Sequence, residues 1–389
     1  MTIKTAARGQ VPPFLVMDVL RTANAMEAEG VKIAHMELGQ PGTAAPQAVR
    51  DAVKEALDRD PVGYTNALGL PALREAIAKH YKEAYAYDLD PARVVVTTGS
   101  SSGFILSFLS AFDAGDRVAL AAPGYPAYRN ILEALGVEAV LLPVGAKERF
   151  QPTVKSLQKA VAEGGKLDGL ILASPSNPAG TMVSADELKT LNNYCAEQGI
   201  RLISDEIYHG ITFGVEAATA LSFNADAIVI NSFSKYFSMT GWRLGWMVVP
   251  EKMIRPVECL AQNLFISAPT QSQLAGVAVF DCKEELDGYV EVYAENRKLL
   301  LERLPEIGFD RLAPADGGFY IYADISAFSN DSQAFCKRLL GETGIAATPG
   351  VDFDPLNGHR FMRFSFAGSP QTVRDALGRL TVWMQENFL

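Results

Sequence analysis

At 389 residues, 48% hydrophobic and 21% charged, the chain is long enough to need more than one hydrophobic core and too apolar to be disordered. Its net charge of −10, with no run of clustered Lys and Arg, argues against a nucleic-acid partner. Residues 1–14 lack the apolar core of a secretion signal and no apolar stretch is long and uncharged enough to span a bilayer, so a cytoplasmic protein is expected.

In chain order, residues 15–29 carry a helical pattern and are expected to lie against a second lobe or a cleft. From Arg93 onward short β-branched runs alternate with helix-length amphipathic stretches, as crossover units on a parallel sheet do when both faces are covered. The predicted strands are 93–98, 117–121, 139–142, 169–173, 201–205, 227–231 and 244–249. Helices are expected between them, among them 102–112 and 185–198, the second with Ser184 as N-cap and Glu187 three residues on. After Pro269 the pattern shifts to long helices, one over 284–304, then strands near 318–323 and 360–365 and a terminal helix from Pro370. The expected architecture is α/β. A three-layer α/β/α large domain with a mostly parallel seven-stranded sheet spans 37–271, and a smaller α+β domain comes from 1–36 and 272–389. Cys195, Cys259, Cys282 and Cys336 show no paired spacing and fit reduced thiols, while His35, His80, His209 and His359 are too dispersed for a local metal motif; no metal is expected.

The densest chemical signal is Ser232-Phe233-Ser234-Lys235-Tyr236-Phe237-Ser238-Met239-Thr240-Gly241-Trp242-Arg243-Leu244-Gly245, between two predicted strands. A lysine alone there reads as a solvated loop residue. Hydroxyls at Ser232 and Ser234, an arginine eight residues on, and glycines that admit a ligand close to the backbone change that reading. An amine that forms imines must shed its proton near neutral pH, and partial burial beside a cation lowers a lysine pKa enough to allow it. Arg243 can supply that charge while gripping a phosphate as a bidentate fork.

Other segments join it. Ser204-Asp205-Glu206-Ile207-Tyr208 ends a predicted strand, where open α/β sheets place their ligand groups. Ser174-Pro175-Ser176-Asn177-Pro178-Ala179-Gly180-Thr181 is a rigid loop built from turn formers. Thr98-Gly99-Ser100-Ser101-Ser102-Gly103 follows a strand and opens a helix, so its amides and the helix dipole would face an anion. Arg363, inside the apolar run Phe361-Met362-Arg363-Phe364-Ser365-Phe366, needs a partner for its charge.

With Leu38-Gly39-Gln40-Pro41-Gly42, these motifs stand in the order found in class I and II aminotransferases of the fold-type I pyridoxal-phosphate superfamily, which the chain resembles over nearly its whole length. The resemblance implies pyridoxal 5'-phosphate held by Lys235 as a Schiff base, the same lysine moving the proton at the substrate α-carbon. It implies phosphate contacts from Ser100, Ser101, Ser232 and Arg243, ring stacking by Tyr125, and Asp205 opposite the ring nitrogen, keeping it protonated. Asn177 and Tyr208 would meet the ring 3'-oxygen, and Arg363, helped by the Gly39 amide and Asn177, would fork the substrate α-carboxylate. Cis bonds at Ala122–Pro123 and Asn177–Pro178 follow from the same likeness. So does a homodimer in which Tyr64, in Gly63-Tyr64-Thr65-Asn66-Ala67-Leu68-Gly69, reaches the neighbouring subunit's phosphate site. Gln40 and Gly42 stand where many relatives carry acids, which loosens substrate assignment in that loop.

The implied activity is reversible, ping-pong transfer of an amino group from an L-amino acid to a 2-oxo acid, 2-oxoglutarate by default. No second arginine for a distal carboxylate can be named, which favours neutral or broad donors. Two alternatives remain at this stage: a pyridoxal-phosphate β-lyase acting on cysteine conjugates, and a non-catalytic effector-sensing domain. The second would need a winged-helix segment larger than the 37 residues before Leu38.

Overall fold

The structure, a computed structural model, describes residues 3–59 and 61–388; Met1 and Leu389, the outer ends of the expected small-domain spans, lie outside the described residues. The amino-terminal part holds α1 (Leu15–Ala28), the short strand β1 (Ala34–His35), α2 (Gln47–Arg59) and α3 (Pro71–Tyr85). The middle runs through β2 (Val94–Thr97), α4 (Gly99–Ala111), β3 (Arg117–Ala122), α5 (Pro126–Leu135), β4 (Glu138–Pro143), α6 (Val154–Gly164), β5 (Gly169–Ala173), α7 (Ala185–Gln198), β6 (Arg201–Asp205), β7 (Ile228–Ser232) and β8 (Gly245–Val248). Then follow α8 (Ile254–Leu264), α9 (Thr270–Val279), α10 (Lys283–Glu306), β9 (Tyr320–Asp324), α11 (Ser332–Thr343), β10 (Ile345–Ala346), β11 (Thr348–Pro349), β12 (Phe361–Ser365) and α12 (Pro370–Asn387).

The seven predicted strands form one sheet in the order β2-β8-β7-β6-β5-β3-β4. All neighbours are parallel except β8, which runs antiparallel to β2 and β7. Successive side chains enter opposite cores: Val96, Leu170, Leu202, Val229 and Trp246 on one face, Val95, Ile171, Ile203, Ile230 and Met247 on the other. Burial on both faces is what makes these strands read as continuous apolar runs.

A second, antiparallel sheet, β11-β12-β9, carries its own core, which includes Ile321, Leu339, Phe364 and Trp383. β1 pairs in parallel with β10 and so joins the amino-terminal segment to this part of the chain. α1 is tied to it as well: the Leu15 and Val16 amides donate to the buried Asp352 carboxylate at 3.0 and 3.2 Å, satisfying donors at the helix start that have no intrahelical partner. The predicted cap of α7 forms in both directions, Glu187 N to Ser184 Oγ at 3.3 Å and Ser184 N to Glu187 Oε2 at 2.7 Å. Helix α4 starts at Gly99, three residues before its predicted start, and this places Ser100 and Ser101 in its first turn. Among the described residues no helix is long and apolar enough to cross a membrane.

Candidate active site

A cavity of about 210 Å³ opens at the carboxyl ends of β6 and β7, with residues of β9, β12 and the start of α1 closing its other side. Asp205 ends β6 and is 3% exposed. Tyr128 donates to its Oδ2, and the Ile207 amide to Oδ1 at 3.0 Å. Burial pushes the carboxyl up to about 6, against the pull of Tyr128, the Ile207 amide and Lys235. Glu206, next in sequence, does not line the cavity; its Oε1 accepts from Ser204, Thr219 and the Ala220 amide, and burial raises it to about 7.

Lys235 projects from the loop after β7 and donates to the Gly39 carbonyl. Its pKa falls to about 8, chiefly through burial, then through Arg363 and only after that Arg243, with Asp205 opposing. The sequence points to Arg243 as the cation that acts on Lys235; the fold gives the larger charge effect to Arg363, which is 128 positions away in sequence and invisible to local spacing.

At the other end of the cavity, Ser100 and Ser101 present the first turn of α4. Amides there lack helical partners and sit at the positive end of the helix dipole. Gly99 sits at φ +74°, a conformation that strains any other residue, and a Cβ there would lie 2.4 Å from Arg243 Nη2, so the guanidinium would have to move. Arg243 itself adopts φ +53°, uncommon for a side chain of its size, lies at the exposed edge, and donates to the Thr240 carbonyl at 2.9 Å.

The carboxyl-terminal sheet contributes Arg363, 2% exposed. Its Nη1 donates to Asn177 Oδ1 at 2.7 Å, and its Nη2 to the Glu37 carbonyl and to Thr348 Oγ1. Its Nε is buried with no partner. Tyr208 bonds the Tyr320 hydroxyl at 2.7 Å, and burial holds the Tyr208 phenol well above its ordinary pKa. Tyr125 packs edge-on against Phe14, ring centroids 5.7 Å apart, and burial raises it to about 12.

The structure thus gathers Gly39, Ser100, Ser101, Tyr125, Asn177, Asp205, Tyr208, Lys235, Arg243 and Arg363 around one cavity. Two expected residues stand elsewhere. Ser232 sits behind Ser234, its hydroxyl bonded to Ser234 Oγ (2.9 Å) and the Leu244 carbonyl (3.1 Å), and it is Ser234 that lines the cavity. Tyr64 is 84% exposed and does not line the cavity of its own chain. Sequence reasoning missed Tyr128, Tyr320 and Phe14. Tyr128 carries a readable signal, lying one helical turn after Tyr125; Tyr320 and Phe14 depend on long-range pairing. Cis bonds occur at Ala122–Pro123, Asn177–Pro178 and also Ser174–Pro175.

The donor set suits pyridoxal 5'-phosphate: an arginine and free helix amides for a phosphate, a buried carboxylate for a ring nitrogen, an enclosed amine of lowered pKa for an aldehyde, and a phenol and an amide for a ring oxygen. A Cβ at Gly99 or Gly245 would press into this cradle, the second lying 2.9 Å from Gly99 C and 3.0 Å from Ser100 N.

The chain belongs to the class I and II aminotransferase family, whose model, described as "Aminotransferase class I and II", matches residues 32–380. Its fold is that of the fold-type I aminotransferases, and the family uses pyridoxal phosphate. It is 47% identical over 388 residues, 99% of each chain, to the valine–pyruvate aminotransferase of Mycobacterium tuberculosis. It is 32% identical to the (5-formylfuran-3-yl)methyl phosphate transaminase of Methanocaldococcus jannaschii, covering 96% of this chain and 97% of that one. A crystal structure of an aminotransferase from Mycobacterium tuberculosis superposes with a TM-score of 0.96 at 47% identity, over 99% of this chain and 100% of the other.

Proposed function

We propose that this aminotransferase moves the amino group of a neutral L-amino acid to a short 2-oxo acid in ping-pong turnover, using the residues gathered in the cavity. The observation that carries the reading is the convergence of one amine of lowered pKa, one buried carboxylate and two arginines on a single cavity. When bound, pyridoxal 5'-phosphate supplies the carbonyl that takes up the amino group and the ring that stabilises charge at the substrate α-carbon. Lys235 holds the cofactor at rest and moves the α-carbon proton. Asp205 keeps a proton on the ring nitrogen, Asn177 and Tyr208 bond the ring oxygen, and Tyr125 covers the ring. Ser100, Ser101 and Arg243 hold the phosphate, with Ser232 acting through Ser234. Arg363, Asn177 and the Gly39 amide orient the substrate carboxylate.

Neutral substrates are favoured by the apolar wall of Phe14, Val16, Leu38 and Ile207; among the described residues that line the cavity, Arg243 and Arg363 are the only arginines. The name of the valine–pyruvate relative points the same way. 2-Oxoglutarate, the acceptor expected by default, would set a second carboxylate against that wall, whereas pyruvate would not. Half-reactions followed by absorbance test this: valine-like donors should convert the bound cofactor faster than aspartate or glutamate, and pyruvate should restore it faster than 2-oxoglutarate. The reverse order overturns the substrate reading. Pyruvate and ammonia released from a cysteine conjugate with no 2-oxo acid present would mark the β-lyase instead.

The same proposal includes a division into 37–271 and 1–36 with 272–389, supported by the separate cores of the two sheets, a cytoplasmic location, and a homodimer that shares Tyr64 across a two-fold axis. The exposure of Tyr64 and of Arg243 supports sharing. Tyr64→Ala and Lys235→Ala dimers, each short of full activity, should gain activity when equal amounts are mixed until subunits exchange, toward about a quarter of wild type if Tyr64→Ala is inactive by itself, because half of the dimers are then hybrids with one intact site each; exchange without recovery sinks the shared site.

A further inference from the structure

Tyr320 lies on β9, two positions from Tyr322, the register partner of Arg363 on β12. Residues two apart on a strand share a face, so Tyr320 and Arg363 are diagonal neighbours on one side of the sheet. The guanidinium carbon of Arg363 is 4.2 Å from the Tyr320 ring centroid and 4.6 Å from that of Phe353, close enough for cation–π attraction to both rings. With Nη1 and Nη2 tied to Asn177, Glu37 and Thr348, this ring contact fixes the remaining freedom of the guanidinium, its tilt. The other end of the same side chain bonds Tyr208, hydroxyl to hydroxyl at 2.7 Å. The Tyr320 hydroxyl also occupies space that only glycine leaves free at position 39, since a Cβ there would lie 1.8 Å from it.

We propose that Tyr320 is a positioning residue with two separable tasks: its ring sets the plane of Arg363 for the substrate carboxylate, and its hydroxyl holds the Tyr208 phenol at the cofactor end. The proposal rests on the reading of Arg363 as the carboxylate fork. It accounts for an aromatic ring with a hydroxyl at 320, for glycine at 39, and for the closeness of the two ends of the cavity.

The test uses holoenzyme and two readouts besides turnover: calorimetric affinity for 3-methylbutanoate, a carboxylate with no amino group to transfer, and the pH midpoint of the cofactor absorbance. Tyr320→Phe keeps the ring, so the carboxylate should bind within about twofold of wild type, while the midpoint moves by about half a unit or more, the scale of one lost hydrogen bond. Tyr320→Leu should move the midpoint similarly and also weaken the carboxylate about tenfold, the scale of a desolvated cation–π contact. Arg363→Gln is the reference that should bind the carboxylate weakly. Weak binding in Arg363→Gln but wild-type binding in Tyr320→Leu overturns the role of the ring. An unchanged midpoint in Tyr320→Phe overturns the role of the hydroxyl. Wild-type binding in Arg363→Gln overturns the carboxylate reading itself, and the ring's task with it. Tyr320→Phe decides the hydroxyl's task even where Tyr320→Leu fails to fold; the ring's task is then read from Tyr320→Met, a flexible side chain that fills the space without a ring, with the same loss of about tenfold expected and wild-type binding overturning it.

Discussion

The two ends of the cavity are built differently. At the Asp205 and Lys235 end the working groups sit at strand ends and loops of one sheet, and local bonds, the Ile207 amide on Asp205 and the Thr240 carbonyl on Arg243, stand beside two long-range ones, Tyr128 on Asp205 and the Gly39 carbonyl on Lys235. At the Arg363 end the partners come from Asn177, Glu37, Thr348 and Tyr320, brought together only by the complete fold. An end whose working groups lie in short sequence motifs can keep one chemistry while the far end, whose partners all come from distant segments, changes with the chain around it. That is a physical basis for one cofactor site serving many substrates.

The comparison can be broken at its chemical end first. Lys235→Ala should abolish turnover by several orders of magnitude while the melting temperature of the apoprotein stays close to wild type; borohydride reduction of wild type followed by peptide mapping should place the cofactor on Lys235 and on no other lysine. Asp205→Ala should retain cofactor and lose about 10²–10³ in kcat, the scale of one preorganised charge; near-normal single-turnover rates would remove Asp205 from the chemistry.

At the far end, Gly39→Ala forces a Cβ onto the Tyr320 hydroxyl, and one of the two must shift. KM for the donor should rise by about tenfold or more, in line with a displaced carboxylate fork. Adding Tyr320→Phe to the same chain should recover part of the loss; no recovery would mean that the contact is not what excludes other residues at 39.

The smallest effect separates two adjacent acids. Glu206, turned away from the cavity, has a folded pKa raised to about 7 by burial, above its ordinary 4.5. A carboxyl raised in the folded state contributes stability below its unfolded pKa and loses it as pH rises through the folded value. Between pH 5 and 8 the wild-type apoprotein should therefore lose on the order of 1–3 kcal/mol relative to Glu206→Gln, read as converging or crossing melting curves. Parallel pH profiles would show that Glu206 carries no such penalty.

Much of this was legible in the sequence because it is local. The strands read as apolar runs, the Ser184–Glu187 cap as a spacing, and the loop from Ser232 to Gly245 as a dense motif. The reversal of β8 was not, since a strand buried on both faces shows the same apolar run in either direction. Helices α2 and α3 lie outside the predicted elements, although Val49 and Val53, four apart and buried, carry the period. Ser232 and Ser234 exchange places because alternation alone does not say which hydroxyl meets the cavity once the strand ends. Tyr320 needed the β9–β12 register, and Phe14 the anchoring of α1 on Asp352. Neither is written in neighbouring residues.

The parallel pairing of β1 with β10 has a consequence for synthesis. Ala34 and His35 are made 311 residues ahead of their partners Ile345 and Ala346, and Asp352, which receives α1, follows those partners. The seven-stranded sheet holds all its strands once Val248 has emerged and can begin to order by itself. The amino-terminal helix must wait, exposing Val16 and Ala23, which the finished fold buries. Closure of so long a loop costs entropy before any contact repays it. A nascent chain stalled before β12 would hold Lys235 and Asp205 but not Arg363, and the period between these two stages is when a holding chaperone would have most to shield.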